Sequence, residues 1–431
     1  MELVSYYNDR ALSKAASIMI AFLFCQPVFT SIPIILRVST EPFSILFRSI
    51  VLLLSLYVSV LYFFTRRNPR FQVSLSFICL ILFWVFYSIR LIYDISIRGL
   101  TYDGGDALFV YSIAFGNQLF PLIAIGLVGQ YIVSEDLVKY LYIAFTMSSI
   151  SAFALVVFFM GFNIDVFSNR SGIGEYGIQV IKLSFDGQVL IIMSVFILVF
   201  YRNLSILQKI LLFTSIFIGI FGLLSGASRS PFFGTLLGLL LIATTFVAAN
   251  DFKIEKILKL FFFSFTTVFL FVLIYINFLA DLRIATFIRV LNFLQFRSEG
   301  ALEIRDFEYQ MAWNQFLRSP VIGDAYIEEF TNFYPHNIFL ELLMATGVAG
   351  TSLILVPMVR IFIRSRFLFN NFESNRSEVL LLIIFVLILF LSLFSGGLFA
   401  NPIFWILFSY LAIKTDLCYS KLGLLTIQNK A

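Results

Sequence analysis

One histidine is the residue of this sequence best suited to acid–base chemistry. His336 is the only histidine among the 431 residues, and it lies in the run Tyr334-Pro335-His336-Asn337 just before a long apolar segment. An imidazole accepts a proton near neutral pH and is the usual general base for activating a hydroxyl group. The alternative is that His336 only caps or anchors the helix that begins there, and the residue type alone leaves both interpretations open.

Metal chemistry is not indicated around this histidine. It has no histidine or cysteine neighbour, and no Asp-x-Asp pair occurs in the chain. The three cysteines, Cys25, Cys79 and Cys418, form no Cys-x-x-Cys pair. We therefore expect no metal site, no cofactor and no disulfide framework.

Arginines at two places have the chemistry to bind an anion. Ser228 and Arg229 lie in a turn of small residues, at 225–231, between two apolar segments. Small residues let backbone N–H groups approach an anion beside the guanidinium, and Pro231 in the first turn of a helix adds a favourable dipole. An ordinary interfacial arginine is the alternative for Arg229.

A long hydrophilic segment, residues 280–335, contains the other arginines, Arg289, Arg305 and Arg318. Its five arginines face eight carboxylates, a net charge of −3, so an anion there must be bound locally. For each of these arginines a salt bridge to a neighbouring carboxylate is the alternative.

Polar and aromatic side chains beside the histidine have the chemistry to orient a sugar. Asn337 and Glu341 are four residues apart and share a helix face, where they can bind sugar hydroxyls. Tyr334 can stack on a sugar ring. Lys182 and Asp186 have the same spacing at the start of another apolar segment, and there we predict an internal ion pair rather than a proton relay.

The elements that position these residues are predicted to be transmembrane helices. The chain is 60% hydrophobic and 13% charged, whereas a soluble domain is nearer half apolar and a quarter charged. Apolar runs of about 18 residues or more recur throughout, each long enough to cross roughly 30 Å of hydrocarbon. We predict an all-α, polytopic membrane protein that forms one domain over residues 1–431 in the lipid bilayer. The net charge of +5 is spread over loops, so we expect no nucleic-acid partner.

We predict about twelve spans, at residues 15–36, 44–64, 72–93, 107–130, 138–160, 183–201, 209–225, 231–249, 257–278, 337–359, 379–396 and 401–417. The one long connection, 280–335, lies between spans nine and ten. Helical spacing of Ile304, Phe307 and Met311 predicts an amphipathic helix within it, over about 302–318.

The distribution of basic residues predicts the orientation. With the N-terminus inside, 18 of the 30 basic residues fall in cytoplasmic segments, and five of the other 12 lie in the long loop, where the rule has little force. We therefore expect both termini in the cytoplasm, with Arg229, His336 and the long loop on the external face.

Two stretches of the sequence resemble the O-antigen ligase and polymerase superfamily. Residues 335–350 read PHNIFLELLMATGVAG, similar to the His-Asn, Leu-Glu and Gly-x-x-Gly signature of that family. Residues 225–240 read SGASRSPFFGTLLGLL, similar to its Ser-Arg turn and the span that follows.

The segment between these stretches resembles the family as well. The family has a run of arginine, an aromatic residue, alanine and then Pro-x-x-Gly. In this chain the corresponding residues are Arg305, Ala312, Pro320 and Gly323, and the aromatic residue is Tyr309 or Trp313. The family often has a second glycine after this motif, where the chain has Asp324. The resemblance covers roughly residues 225–360.

The resemblance implies a metal-independent glycosyltransferase at the periplasmic face of a bacterial inner membrane. The donor would be an undecaprenyl diphosphate-linked oligosaccharide, and the acceptor a hydroxyl of a lipid-linked repeat unit. By the same resemblance His336 is the base. The diphosphate would be held by Arg229 and Arg305, together with Arg289 and Arg318. The acceptor would be oriented by Ser228, Tyr334, Asn337 and Glu341.

The family contains polymerases, which join repeat units, and ligases, which transfer the finished polymer to lipid A-core. The 55 phenylalanines and a first half without recognisable motifs favour a polymerase by association, and a chain-length regulator protein is then an expected partner. A transporter or flippase of lipid-linked oligosaccharides is the alternative from another class. The long loop and the absence of internal repeats count against it.

Overall fold

The structure is a computed structural model that describes residues 2–65, 74–103, 105–160, 180–226, 228–249, 289–290 and 300–428. The α-helices of this part are α1 (Glu2–Phe22), α2 (Gln26–Ile35), α3 (Glu41–Thr65), α4 (Leu75–Ser96), α5 (Ala107–Tyr111), α6 (Phe120–Val128), α7 (Ser134–Met160), α8 (Val180–Phe200), α9 (Ile206–Ser225), α10 (Arg229–Ala249), α11 (Gly300–Arg318), α12 (Ile338–Asn370), α13 (Arg376–Ser392) and α14 (Pro402–Gln428).

Nine helical segments of the described residues are long and apolar enough to cross a membrane. They are Asp9–Ile35, Glu41–Thr65, Leu75–Ser96, Ala107–Tyr131, Ser134–Phe158, Lys182–Phe200, Ile206–Ser225, Arg229–Ala249 and Ile338–Asn370. Each overlaps a predicted span, so the protein is a helical membrane protein. The predicted span 257–278 lies outside the described residues, and the last two predicted spans are the helices α13 and α14. The total of twelve stays a prediction.

Two of the first four spans depart from regular α-helix. The first bends at a 3-10 turn, Leu23–Cys25, because α2 begins with Pro27 in its first turn. The fourth is α5, a π-helical segment over Ser112–Leu119, and α6. A π-helical segment inside a membrane span is uncommon and often accompanies a functional site.

Close packing of α8 against α9 depends on small residues. A Cβ atom at Gly187 would lie 2.4 Å from the carbonyl oxygen of Gly219, and one at Gly222 would lie 3.3 Å from the carbonyl oxygen of Leu183. Such contacts between backbones are what small residues permit in membrane helix pairs. This packing fixes the end of α9, from which the turn with Ser228 leads into α10.

The helix α11 confirms the prediction of a helix over about 302–318. The turn after it, residues 320–323, packs against α12 through backbone hydrogen bonds. Val348 donates to the Pro320 carbonyl at 2.8 Å, and Ala349 donates to the Val321 carbonyl at 3.0 Å. We call this contact the glycine joint, because Gly323 and Gly347 meet there, with φ of +75° and +60°.

The glycine joint explains why α12, which continues past the predicted span 337–359 to Asn370, is bent. Gly347 has φ 60° and ψ −164°, which is not helical, so α12 consists of two helices that meet at this residue. The bend exposes amide groups at the start of the second helix, and the carbonyl groups of the 320–323 turn accept from them. The two glycine-containing motifs of the sequence therefore contact each other directly.

The far end of α12 carries basic residues that the orientation rule places in the cytoplasm. Arg360 and Arg364 both pair with Asp416 of α14. Arg360 follows Ile338 by 22 residues, about 33 Å at 1.5 Å per residue. This separation is close to the thickness of a bilayer core and puts these charges at the opposite end of the bundle from His336.

Candidate functional site

His336 lies immediately before α12, and its backbone is in the left-handed region with φ 52°. A residue other than glycine pays about 1–3 kcal/mol for such a conformation. Asn337, not His336, is the residue that caps α12. Its Oδ1 accepts hydrogen bonds from the Phe339 and Leu340 amides at 3.1 and 3.2 Å. The capping explanation for His336 is therefore wrong, and its side chain is available for another role.

The environment of the imidazole keeps it neutral. The ring of His336 lies 4.8 Å from that of Tyr334 and 5.5 Å from that of Phe333, measured between centroids. Nδ1 is buried and receives no hydrogen bond from the described residues. Burial, and then the positive charge of Arg305, lower the pKa of His336 to about 4. At neutral pH the ring is therefore uncharged, with a proton on one nitrogen and a lone pair on the other that can accept a proton.

Arg305 of α11 is half-buried and lies within electrostatic reach of His336 and Tyr334. The C-terminal half of α11 is held to the loop that leads to His336. Gln315 donates from Nε2 to the Ile327 carbonyl at 2.9 Å, and its Oε1 accepts from the Glu329 amide at 3.2 Å. The predicted arginine and histidine are thus brought together by one helix and the loop that follows it.

Three stacked aromatic rings form one wall beside the histidine. The ring centroids of Phe333 and Tyr334 are 4.4 Å apart, and the ring of Tyr102 lies 5.1 Å from that of Phe333. The Asp103 amide donates to the Asn332 carbonyl at 3.0 Å, which holds the segment after α4 against the loop. Burial raises the pKa of Tyr102 to about 12, so its hydroxyl keeps its proton at neutral pH. Sequence reasoning missed Tyr102, whose only signal was an aromatic residue in a short predicted external connection.

Glu341 is fully buried below this wall. Its Oε1 accepts a hydrogen bond from the Leu398 amide at 2.9 Å, and Leu398 begins the 3-10 turn Leu398–Ala400. The carboxyl group thus fixes this turn against α12. No solvent reaches the side chain, so we expect Glu341 to position its neighbours rather than to contact a sugar.

Arg318 belongs to a cluster of compensated charges. It pairs with Asp324 at 2.6 Å and with Glu329, and its side chain is 56% exposed. Arg98 pairs with the same two carboxylates. Arg90 donates to the carbonyl groups of residues 322–324. The salt bridge considered as the alternative for Arg318 is therefore present, and the cluster attaches the glycine joint to α4.

The remaining predicted residues are Ser228, Arg229 and Arg289. Arg229 is the first residue of α10 and is half-buried, with its Nη1 atom buried, and Ser228 before it is 7% exposed. Arg289 is half-buried and is described together with Val290 alone in its part of the chain. Arg305 is the predicted arginine that the described residues bring within electrostatic reach of His336.

Comparison of this chain with protein-family models, curated proteins and solved structures gave no match. The resemblance to the O-antigen ligase and polymerase superfamily therefore rests on the motif residues and on their arrangement. In that arrangement, the His-Asn motif forms the entry to α12, and the Pro-x-x-Gly and Gly-x-x-Gly motifs meet at the glycine joint.

The Lys182–Asp186 ion pair predicted from their spacing does not form in the described part of the chain. Asp186 is buried and accepts a hydrogen bond from the Ser148 hydroxyl instead. Lys182 influences Asp186 electrostatically without a direct salt bridge. The serine binds one oxygen of the carboxylate, Oδ2, and the lysine lines a cavity that is described below.

Proposed function

We propose that this protein is a membrane glycosyltransferase of polysaccharide assembly, an O-antigen polymerase. It transfers glycan from an undecaprenyl diphosphate-linked donor to a hydroxyl of a lipid-linked repeat unit. The observation that carries the proposal is the neutral imidazole of His336 beside the cation of Arg305, next to a wall of stacked aromatic rings.

The proposed reaction uses these groups in one displacement. The acceptor hydroxyl oxygen attacks the anomeric carbon of the donor sugar, and His336 takes the proton from that hydroxyl. The bond from the anomeric carbon to the diphosphate oxygen breaks, and undecaprenyl diphosphate leaves with the electron pair. Arg305, with Arg229, stabilises the charge that develops on the leaving oxygen. Arg318 is left out of this role because two carboxylates already neutralise it.

The low pKa of His336 fits a base that is activated by its substrate. In the free protein Arg305 opposes protonation of the imidazole. A diphosphate bound to Arg305 would neutralise that charge and add negative charge nearby, and both effects raise the pKa of His336. The imidazole is then a stronger base when the donor is bound than when the site is empty.

The experiment is glycan transfer by purified protein in detergent, with a lipid-linked repeat unit as both donor and acceptor. Wild type should form lengthening chains, and His336→Ala should form none. Asn314→Ala, which removes an exposed polar side chain on α11, is the matched control and should match wild type. Normal chain lengths from His336→Ala at equal protein levels would overturn the assignment of the base.

A deletion strain separates the polymerase from its alternatives. Lipopolysaccharide with a single repeat unit is the result expected for a polymerase. Bare core with accumulated lipid-linked polymer would instead indicate a ligase. Transfer by detergent-solubilised protein, without any sealed compartment, would exclude a purely transporting role.

A further inference from the structure

A cavity of about 690 Å³ lies at the same end of the bundle as His336. It is bordered by α2, α3, the π-helical segment, the start of α8 and the connection between α13 and α14. Tyr102 and Tyr334 line it, so the aromatic wall of the candidate site separates this cavity from His336. We call it the chamber.

The chamber is lined by two cations, and no carboxylate is among its lining residues in the described part of the chain. The cations are Arg48 of α3 and Lys182 of α8. Amide and hydroxyl groups of Gln26, Thr30 and Asn117 lie among the other lining residues. This combination of two positive charges with neutral hydrogen-bonding groups suits an anion with several oxygen atoms, such as a phosphate or diphosphate.

Arg48 is held by neutral groups only. It donates to the Ser112 hydroxyl at 2.7 Å and to the Ser44 hydroxyl at 3.1 Å. Its guanidinium carbon lies 4.9 Å from the centroid of the Phe109 ring. No carboxylate of the described residues forms a salt bridge with it. A cation inside a membrane span is costly without a counter-charge, so its retention there points to a ligand that supplies one.

A narrow apolar crevice adjoins the chamber at Lys182. The crevice shares Gln26, Thr30 and Lys182 with the chamber and continues past Ile34 and Leu183, between α2, α7 and α8. The chamber thus combines cations and hydrogen-bonding groups with apolar side chains, in its own lining and in the crevice beside it. This combination suits an amphiphile with an anionic group at one end and a hydrocarbon chain at the other.

We infer that the chamber binds the phosphate or diphosphate group of an isoprenoid lipid, with Arg48 and Lys182 as its ligands. The isoprenoid chemistry rests on the proposed function, whereas the anion site rests on the chamber alone. A polymerase handles two lipid-linked diphosphates at once, one on the donor and one on the acceptor. The chamber provides a second cationic site for a diphosphate, in addition to Arg305 and Arg229.

The test is binding of geranylgeranyl diphosphate to the purified full-length protein, measured by native mass spectrometry and by microscale thermophoresis. A charge-assisted hydrogen bond is worth about 1.5–3 kcal/mol, so Arg48→Gln and Lys182→Gln should each weaken binding by about tenfold or more. The matched control is Arg37→Gln, which removes an exposed cation just before α3 that does not line the chamber. It should stay within about twofold of wild type.

Two further sets of binding measurements, with charge-preserving variants and with competitors, control for misfolding and identify the ligand. Arg48→Lys and Lys182→Arg keep the charge and should retain most of the affinity, whereas equal losses in these variants would overturn the electrostatic assignment. Inorganic pyrophosphate should compete weakly and geranylgeraniol not at all. Pyrophosphate binding as tight as that of the lipid would overturn the isoprenoid part of the inference.

The binding measurement is independent of catalysis. His336→Ala should bind geranylgeranyl diphosphate like wild type, because His336 does not line the chamber. Unchanged binding in both Arg48→Gln and Lys182→Gln would overturn the chamber, whatever the glycan assays give. Loss of binding in these two variants, together with no glycan transfer by the wild-type protein, would leave the chamber standing and overturn the proposed function.

Discussion

Replacing Gly347 by alanine tests the glycine joint that positions α11 against α12. Gly347 has φ +60° and ψ −164°, a conformation essentially restricted to glycine that costs an alanine about 1–3 kcal/mol. The added Cβ would also lie 2.4 Å from the carbonyl carbon and oxygen of Val321. Carbon atoms in contact are normally about 3.5–4.0 Å apart, so the 320–323 turn must move away by about 1 Å or more.

That movement breaks the hydrogen bonds of the joint. The bonds from Val348 and Ala349 to the turn contribute about 1 kcal/mol each. Together with the conformational cost, we expect Gly347→Ala to lower the free energy of unfolding by about 3–5 kcal/mol. Glycan transfer should fall as well, because the joint sets the position of Arg305 relative to His336.

Two other glycines separate the contributions. Gly99 has φ +69° but has no atom within 4 Å of a Cβ built on it, so Gly99→Ala should cost only the conformational 1–2 kcal/mol or so. Gly116 has neither a positive φ nor a close neighbour, and its alanine variant should stay within about 1 kcal/mol of wild type. The measurement is denaturant unfolding of the three purified variants in detergent. If Gly347→Ala lost no more stability than Gly99→Ala, the joint would not hold the two segments together.

Three further predictions concern the candidate site. Arg305→Gln should raise the pKa of His336 from about 4 toward its ordinary 6.5, although burial keeps it below that value; the shift is measurable by NMR because the chain has one histidine. Because folding lowers the pKa of His336, this residue stabilises the fold above pH 6.5, and its contribution is lost as the pH falls toward 4. Thermal unfolding of wild type and His336→Gln between pH 4 and pH 6.5 should reveal this loss. Glu341→Leu should cost about 1–3 kcal/mol because the buried Leu398 amide loses its acceptor, whereas Glu341→Gln keeps an acceptor and should cost less in the same unfolding assay.

Each of these predictions has a result that would contradict it. An unchanged imidazole pKa in Arg305→Gln would show that the guanidinium does not act on the ring. Parallel pH profiles of stability for wild type and His336→Gln would mean that the imidazole titrates alike in both folding states. Equal stability of the two Glu341 variants would show that the carboxyl group does not hold the 398–400 turn in place.

Hydropathy and residue spacing were enough to predict the nine spans found in the described residues and the helix α11. A bilayer requires about 20 apolar residues per span, and α11 has a regular helical pattern that ends at Ser319-Pro320. These are local properties of the chain. The bend of α12 at Gly347 was not predictable in this way, because it arises from backbone contact with a turn 24 residues earlier in the sequence, at Gly323.

The candidate site was predictable only in part for the same reason. The segment around His336 and the arginine of α11 could be selected by residue type. The contribution of Tyr102 depends on a contact with Phe333, more than 200 residues away in the sequence, and no local pattern indicates it. Lys182 and Asp186 have the spacing of an ion pair, but the Asp186 carboxylate accepts its hydrogen bond from Ser148 of another helix instead.

The π-helical segment Ser112–Leu119 has a consequence for tracing the ancestry of this protein. A π-helical turn holds one more residue than an α-helical turn, so such a segment is generally equivalent to a one-residue insertion into an ordinary helix. Homologues without that insertion will align with this chain only if a single-residue gap is placed before Phe120. Their residue at the position of Asn117 would then point about 100° away from the chamber. The gap, rather than overall identity, would distinguish homologues that share the chamber from those that have only the same arrangement of spans.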